Sequence, residues 1–399
     1  MSTEESETPQ AGIILLGAMT AMTPMSIDAY LPALPSLSRD LSASSSVAQL
    51  TLTALLGGLA FGQLVIGPIS DRVGRRPPVF AGLAGFVVAS LLCAVAPSIE
   101  VLIALRFLQG ASGAAAVVVA RAVVRDLHGG TAAARVYAAL MLVLGVAPIV
   151  APIAGAQLLK VTSWRGVFVA LALMGGLLLA STARWLPESL PAERRQPGRW
   201  RTTMTVFGHL LTDRQFTGYA LAGGLGFAAM FAYISGSSFV LQDIYGLSPQ
   251  AFSGVFAMNA AGLILLSQVS ARTVHRTGPR PLLLLGLVLS ATGGIGIVVS
   301  VLIGAGLAGV LPSLFVVVSA VGLTSPNATA LALAEHGRTA GAASALVGVV
   351  QYVLGASAAP LVGLAGSHTA VPMAVTIAVA GAAGLAATAL TRTPRRVSG

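Results

Sequence analysis

Twelve apolar runs, cut only by short polar turns, constrain this chain more than any other feature. They cover approximately residues 12–34, 47–70, 78–96, 99–125, 135–158, 165–186, 216–242, 249–274, 281–302, 306–334, 339–366 and 369–391. Each is long enough to cross about 30 Å of hydrocarbon at 1.5 Å per residue. With 55% hydrophobic and 9% charged residues, and a mean hydropathy of +0.87, the chain has more apolar sequence than a soluble core of this size takes up. The expected fold class is an all-α membrane protein of twelve transmembrane helices.

The net charge of +10 raises nucleic acid as a partner, but the basic residues sit in the short loops between apolar runs. With both termini inside, the cytoplasmic face holds Arg72, Arg75, Arg76, Arg125, Arg135, Arg184, Arg194, Arg195, Arg199, Arg201, Arg214, Arg272, Arg276, Arg280, Arg338, Arg392, Arg395 and Arg396. Only Arg39, Lys160 and Arg165 remain outside. That asymmetry sets the orientation. Glu4, Glu5 and Glu7 leave the N-terminus without the positive leader of a cleavable signal peptide, so it is expected to stay cytoplasmic. Cys93 is the only cysteine, so no intrachain disulfide forms and no multi-cysteine metal site exists. Lys160, the only lysine, follows Leu159 rather than the glycine of a phosphate loop. His128, His209, His275, His336 and His368 show no metal spacing. No cofactor and no metal are expected.

An internal repeat divides the chain. A shift of 204 residues sets Arg72-Val73-Gly74 over Arg276-Thr277-Gly278 and Arg76-Pro77 over Arg280-Pro281, with His275 standing where the first copy has Asp71. The expected organisation is a cytoplasmic tail (1–11), an N-terminal six-helix half (12–186), a Pro- and Arg-rich linker (187–214), a pseudo-symmetric C-terminal half (215–391) and a second tail (392–399).

The densest polar turn is Gly67-Pro68-Ile69-Ser70-Asp71-Arg72-Val73-Gly74-Arg75-Arg76-Pro77. Its charges suit either a basic loop obeying the positive-inside rule or a brace between neighbouring helix ends. The run closely resembles the G-x-L-x-D-R-x-G-R-R signature of the major facilitator superfamily, with Ile69 in the usual Leu place. The resemblance implies the major facilitator fold and a gating role for Gly67, Asp71, Arg72, Gly74, Arg75 and Arg76, with Asp71 bracing a cytoplasmic gate near Thr339–Gly341.

Asp28 is the one acidic residue well inside a span, and Arg106 the one arginine comparably deep. They lie at matching depths, roughly 9 and 10 Å from the outer ends of spans one and four. An ionisable group there is costly and belongs against a cavity or a partner. Burial and a nearby cation pull its protonation in opposite directions, leaving a carboxylate able to gain or lose a proton. A static pair that only orders the helices is the alternative. Arg106-Phe107-Leu108-Gln109-Gly110 resembles the R-x-x-Q-G motif of proton-coupled facilitators. The run Asp28-Ala29-Tyr30-Leu31-Pro32-Ala33-Leu34-Pro35, with Arg121 to Leu127 closing the fourth span, looks like the Bcr/CflA subfamily of drug:proton antiporters. This resemblance implies proton coupling at Asp28 and Arg106, and adds Arg121 and Arg125 to the gate.

Gly145 to Gly155 in span five carries Pro148 and Pro152, which remove backbone donors, among small residues that permit close approach. Helix packing alone accounts for it; it also resembles the antiporter motif of exporters, which would make Pro148, Pro152 and Gly155 part of the gate. Met22, Met25, Tyr30, Gln109, Phe227, Phe231, Tyr233, Asn259, Asn327, Gln351 and Tyr352, together with Gln63, are candidates for an apolar cavity wall with a few polar anchors.

The reading implied is a transporter, not an enzyme, in a bacterial inner membrane. It exports small, largely hydrophobic drugs in exchange for protons by alternating access; its partners are substrate, protons and lipid, and a monomer suffices. The alternative is a proton-coupled importer of a nutrient or metabolite on the same fold. One deep Asp and one deep Arg supply no nucleophile–base pair for an enzyme.

Overall fold

The computed structural model describes residues 10–128, 130–195, 200–336, 339–363 and 369–391, and among these it is helices joined by short turns, with no strand. Among the described residues, twelve helical segments are long and apolar enough to cross a membrane, from Gly12–Asp40 to Val371–Leu390. Residues 1–9 and 392–399 of the two tails, positions 196–199, and Arg338 and His368 lie outside the described residues.

Local sequence explains where helices start, bend and stop. Helix α1 (Gln10–Asp28) ends at Asp28, followed by a 3-10 turn (Leu31–Ala33) and the short α2 (Leu34–Asp40). Pro32 has no N–H to offer the Asp28 carbonyl and Pro35 none for Leu31, so the α-helical ladder stops there. Helices α3 (Ser45–Val73) and α4 (Arg76–Ala94) take up most of the polar run 67–77, leaving only Gly74 and Arg75 as the turn between them. Helix α5 (Ile99–Leu127) starts at Ser98, whose hydroxyl accepts from the Val101 amide. Helix α6 (Gly130–Leu158) contains Pro148 and Pro152; α7 (Trp164–Trp185) follows an N-cap at Ser163. The amphipathic α8 (Trp200–Thr212) lies in the linker. Helices α9 (Arg214–Phe239), extended by a π-helical turn (Val240–Ile244), α10 (Pro249–Thr277), α11 (Pro279–Leu302), α12 (Gly306–Leu333), α13 (Ala340–Gly363) and α14 (Val371–Ala387) complete the chain.

The chain forms two compact units. The first comprises the residues before Leu34 together with Gly57–Arg199, and the second comprises Leu34–Leu56 together with the chain from Trp200 onward. The boundaries fall between Ala33 and Leu34, within α3 between Leu56 and Gly57, and between Arg199 and Trp200, so Leu34–Leu56, expected in the N-terminal half, groups with the second unit. In the second unit, Thr53 Oγ1 donates to the Ala356 carbonyl at 3.2 Å and Arg39 pairs with Asp243 at 3.0 Å. Ser46 Oγ also donates to the Gly363 carbonyl.

Lipid tails are as apolar as leucine, so packing inside each unit relies on close approach at small residues. In the first unit, α4 packs on α5 and α7, and α1 on α5, α6 and α7. A Cβ on Gly58 or Gly62 would fall on the α5 backbone at Phe107 or Ala111. In the second, α9 packs on α12, α13 and α14, and α11 on α12 and α14. Gly262, 204 residues after Gly58, faces α12 in turn, but there its Cβ position is filled by the side chains of Phe315 and Ser319 rather than by backbone. The repeat also recurs in the backbone: Gly74 and Gly278 have φ of +101° and +77°, a conformation that favours glycine.

Candidate functional site

The break after α1 leaves Asp28 as the last helical residue, 5% exposed. No ion pair or hydrogen bond from a described residue reaches its carboxylate. Arg106, two turns into α5, is fully buried. Its guanidinium donates through one terminal nitrogen to Gln109 Oε1 at 2.5 Å and through the other to the Ser26 carbonyl at 3.1 Å. Gln109 Nε2 donates to Ser90 Oγ at 2.7 Å, and Ser90 donates to the Phe86 carbonyl at 2.7 Å. The guanidinium carbon stands 4.7 Å from the Tyr30 ring centre and 5.5 Å from that of Phe168 in α7. Nε has no partner. The matched depths of Asp28 and Arg106 suggested an ion pair, which this conformation does not contain, because the arginine is taken up by Gln109, a carbonyl and two rings. Tyr30 and Gln109, expected on a cavity wall, are both fully buried in this network. Met22 is buried too, over Gly113, while Met25 and Gln63 are half-buried. Beside the helix break, α6 comes so close to α1 that a Cβ on Gly155 would collide with the Ala29 carbonyl.

A second constellation fills the turn between α3 and α4. Arg75, 2% exposed, donates to Asp71 Oδ1 at 2.6 Å, Ser70 Oγ at 2.8 Å and Asp126 Oδ2 of α5 at 2.7 Å. Burial pulls its ionisation down, but the bonds to Asp126 and Asp71 prevail and hold it above the usual arginine range. Arg76 lies over the Phe80 ring and donates to the Ala183 carbonyl. Arg125, mostly exposed, is 3.9 Å from Asp71. Arg72 and Arg121 are exposed, the Arg121 carbonyl accepting from Tyr137, and Gly67 accepts from Ser70.

Sequence reasoning missed the residue that closes this cluster. Arg75, the N-cap of α4, has no side-chain cap of its own. Glu188, just past α7, supplies one: its carboxylate accepts the amides of Arg75 at 2.8 Å, Arg76 at 3.1 Å and Leu190 at 3.0 Å. Burial pushes the Glu188 carboxyl up, but these three amides, with Arg195 nearby, hold it below the usual carboxylate range. Ser189 donates to Asp126 at 3.1 Å. A lone acid between Pro187 and Pro191 in an arginine-rich stretch was the available signal.

The second unit holds the remaining candidates. Phe227 stacks on Phe231 at 6.1 Å and meets Tyr352 edge-on at 5.8 Å, while Gly355 leaves room for the Phe227 ring. Phe227, Gln351 and Tyr352 are half-buried and Phe231 is buried. Asn259, Asn327 and Tyr233 are packed between helices rather than lining open space. Asn259 donates to Tyr233 at 3.0 Å, and Asn327 to Ser270 Oγ and the Leu323 carbonyl at 2.7 Å each. Polar side chains in lipid are drawn to such partners, which is why sequence alone could not separate wall from joint.

The comparisons agree with this architecture. The model of the Major Facilitator Superfamily matches residues 15–360. The MFS-type transporter YdgK of Bacillus subtilis (strain 168) is 40% identical over 361 residues, covering 90% of each chain. A bicyclomycin resistance protein homolog of Haemophilus influenzae is 32% identical over 92% of each chain. Among solved structures, the nucleoside transporter NupG superposes with a TM-score of 0.77 over 96% of this chain and all of that one, at 11% identity, a likeness of fold alone. Its relatives are consistent with the Bcr/CflA branch, and with a family model matching residues 15–360, across the first eleven of its twelve candidate spans, the chain belongs to the major facilitator superfamily.

Proposed function

We propose that this protein exports small, largely apolar drug-like molecules across a bacterial inner membrane in exchange for protons, with both termini cytoplasmic and a monomer as the working unit. One observation carries the proposal: Asp28 is a buried acid with no ion pair among the described residues, placed where the first helix breaks and close in sequence to Ser26, the carbonyl that Arg106 holds. A carboxyl group at that depth is costly to leave without a role, and any event that hydrates it or brings a cation near favours proton release. Outward exposure loads Asp28 with a proton and releases drug; inward exposure discharges the proton and admits drug, with Arg106 answering the new charge. Relatives named for bicyclomycin resistance and, at 32% identity over 69% of this chain, for chloramphenicol resistance support the substrate class.

In this reading Phe227, Phe231, Gln351 and Tyr352 line the drug path within the second unit, and in the first unit the Asp71–Arg75–Asp126 cluster with Pro148, Pro152 and Gly155 governs which side opens. The chemistry is transport, not bond making. The test is uptake of labelled chloramphenicol and bicyclomycin into inverted membrane vesicles under an imposed proton gradient. Accumulation that collapses with the gradient and disappears in Asp28→Asn is expected. Gradient-driven accumulation by Asp28→Asn at the wild-type rate would overturn it.

A further inference from the structure

The guanidinium of Arg106 has no anionic partner among the described residues. It is fully buried, no carboxylate of a described residue lies within ion-pair distance, and its Nε has no partner. An uncompensated buried charge is strongly unfavourable, so the site must stabilise it by other means. Two rings stand within the roughly 6 Å over which an aromatic face attracts a cation: Tyr30 at 4.7 Å and Phe168 at 5.5 Å. The rings lie 5.2 Å apart, and Trp164 packs edge-on against Phe168 at 6.0 Å. All three side chains are essentially excluded from solvent.

We infer that Phe168, with Tyr30, seats the Arg106 guanidinium in place of a carboxylate, which makes Phe168 a positioning residue for proton exchange at Asp28. The inference rests on the proposed exchange reading. Ring faces that hold the cation let Asp28 keep its proton without leaving Arg106 uncompensated, and Nε stays available to a carboxylate when one forms. The strength of the seat then sets how strongly Arg106 competes for that carboxylate. The other titratable side chains facing Arg106 are Tyr30 on the first span and Cys93 on α4. Tyr30 has further contacts, so Phe168, which offers only a ring, is the cleaner probe.

The experiment replaces Phe168 with progressively fluorinated phenylalanines, which keep the shape of the ring while draining its negative face, and reads the pH midpoint of chloramphenicol-evoked proton release from the purified protein. The midpoint should move stepwise toward acid, by about one pH unit at the most fluorinated ring, the size of a desolvated cation–π contact. Phe168→Leu should move it the same way and Phe168→Tyr should stay near wild type. An unchanged midpoint across the fluorinated series overturns the inference, as does an equal change in Leu and Tyr. Asp28→Asn, measured alongside, separates the two readings. If it still releases protons, exchange at Asp28 itself fails; if it does not and the fluorinated proteins match wild type, only the aromatic seat fails.

Discussion

Replacing Glu188 by Ala removes a carboxylate that three amides share, at 2.8, 3.1 and 3.0 Å. Two of them belong to the first residues of α4, so the loss is that of a helix cap, about 1 kcal/mol, plus that of an anion at a helix N-terminus, up to about 1 kcal/mol. The side chain is half-buried, which keeps the third bond at the low end of the range. The sum is about 2 kcal/mol, or about 5 °C in the apparent midpoint if the first unit unfolds cooperatively. Glu188→Gln should fall nearly as far, because its amide nitrogen would face an amide donor where an oxygen now accepts. The effect is pH-dependent with a defined sign. The folded carboxyl sits below its ordinary value of 4.5, so its contribution is fully present above that value and fades as the pH falls through the folded one. Thermal unfolding of the detergent-solubilised protein should therefore show wild type ahead of both variants at pH 7, with the gap closing as the solution is acidified below 4.5. A midpoint within 1 °C of wild type at pH 7 for Glu188→Ala, or a gap that persists in acid, would refute the reasoning.

Other outcomes follow from the same geometry. Gly155→Val pushes a side chain into the Ala29 carbonyl, which cannot yield without parting α1 from α6; overpacking of roughly 1–3 kcal/mol should lower the thermal midpoint and abolish drug transport, and transport at the wild-type rate would show that the contact is dispensable. Asn327→Leu breaks the joint to Ser270. It should cost about 1 kcal/mol of stability and leave drug affinity within twofold, as read by thermal unfolding and equilibrium binding; a tenfold loss of affinity at unchanged stability would return Asn327 to the cavity wall.

Fold was far more legible than site, for a physical reason. Hydrocarbon thickness sets a minimum apolar length, so runs such as 249–274 appear within a few residues as the helix Pro249–Thr277. The repeat was legible because Gly74 and Gly278 answer a backbone need that few other residues meet. Pairing of charges was not. Asp28 and Arg106 match in depth, but depth is one coordinate of three, and the rotation of α5 carries Arg106 to Gln109, Ser26 and the rings instead. Glu188 was missed because its importance lies in three backbone amides, and sequence does not display which amides lack a partner. Asn259 and Asn327 were read as wall residues because a polar residue in a span signals a need for hydrogen bonds without saying whether ligand or helix supplies them.

The central claim is that drug binding and proton release share Asp28. The most direct measurement is proton release from the purified protein on adding bicyclomycin, chloramphenicol and a panel of apolar antibiotics, comparing wild type with Asp28→Asn. Compound-dependent release in wild type that is lost in Asp28→Asn is the predicted result. Compounds that bind both proteins with no proton released from either would contradict it.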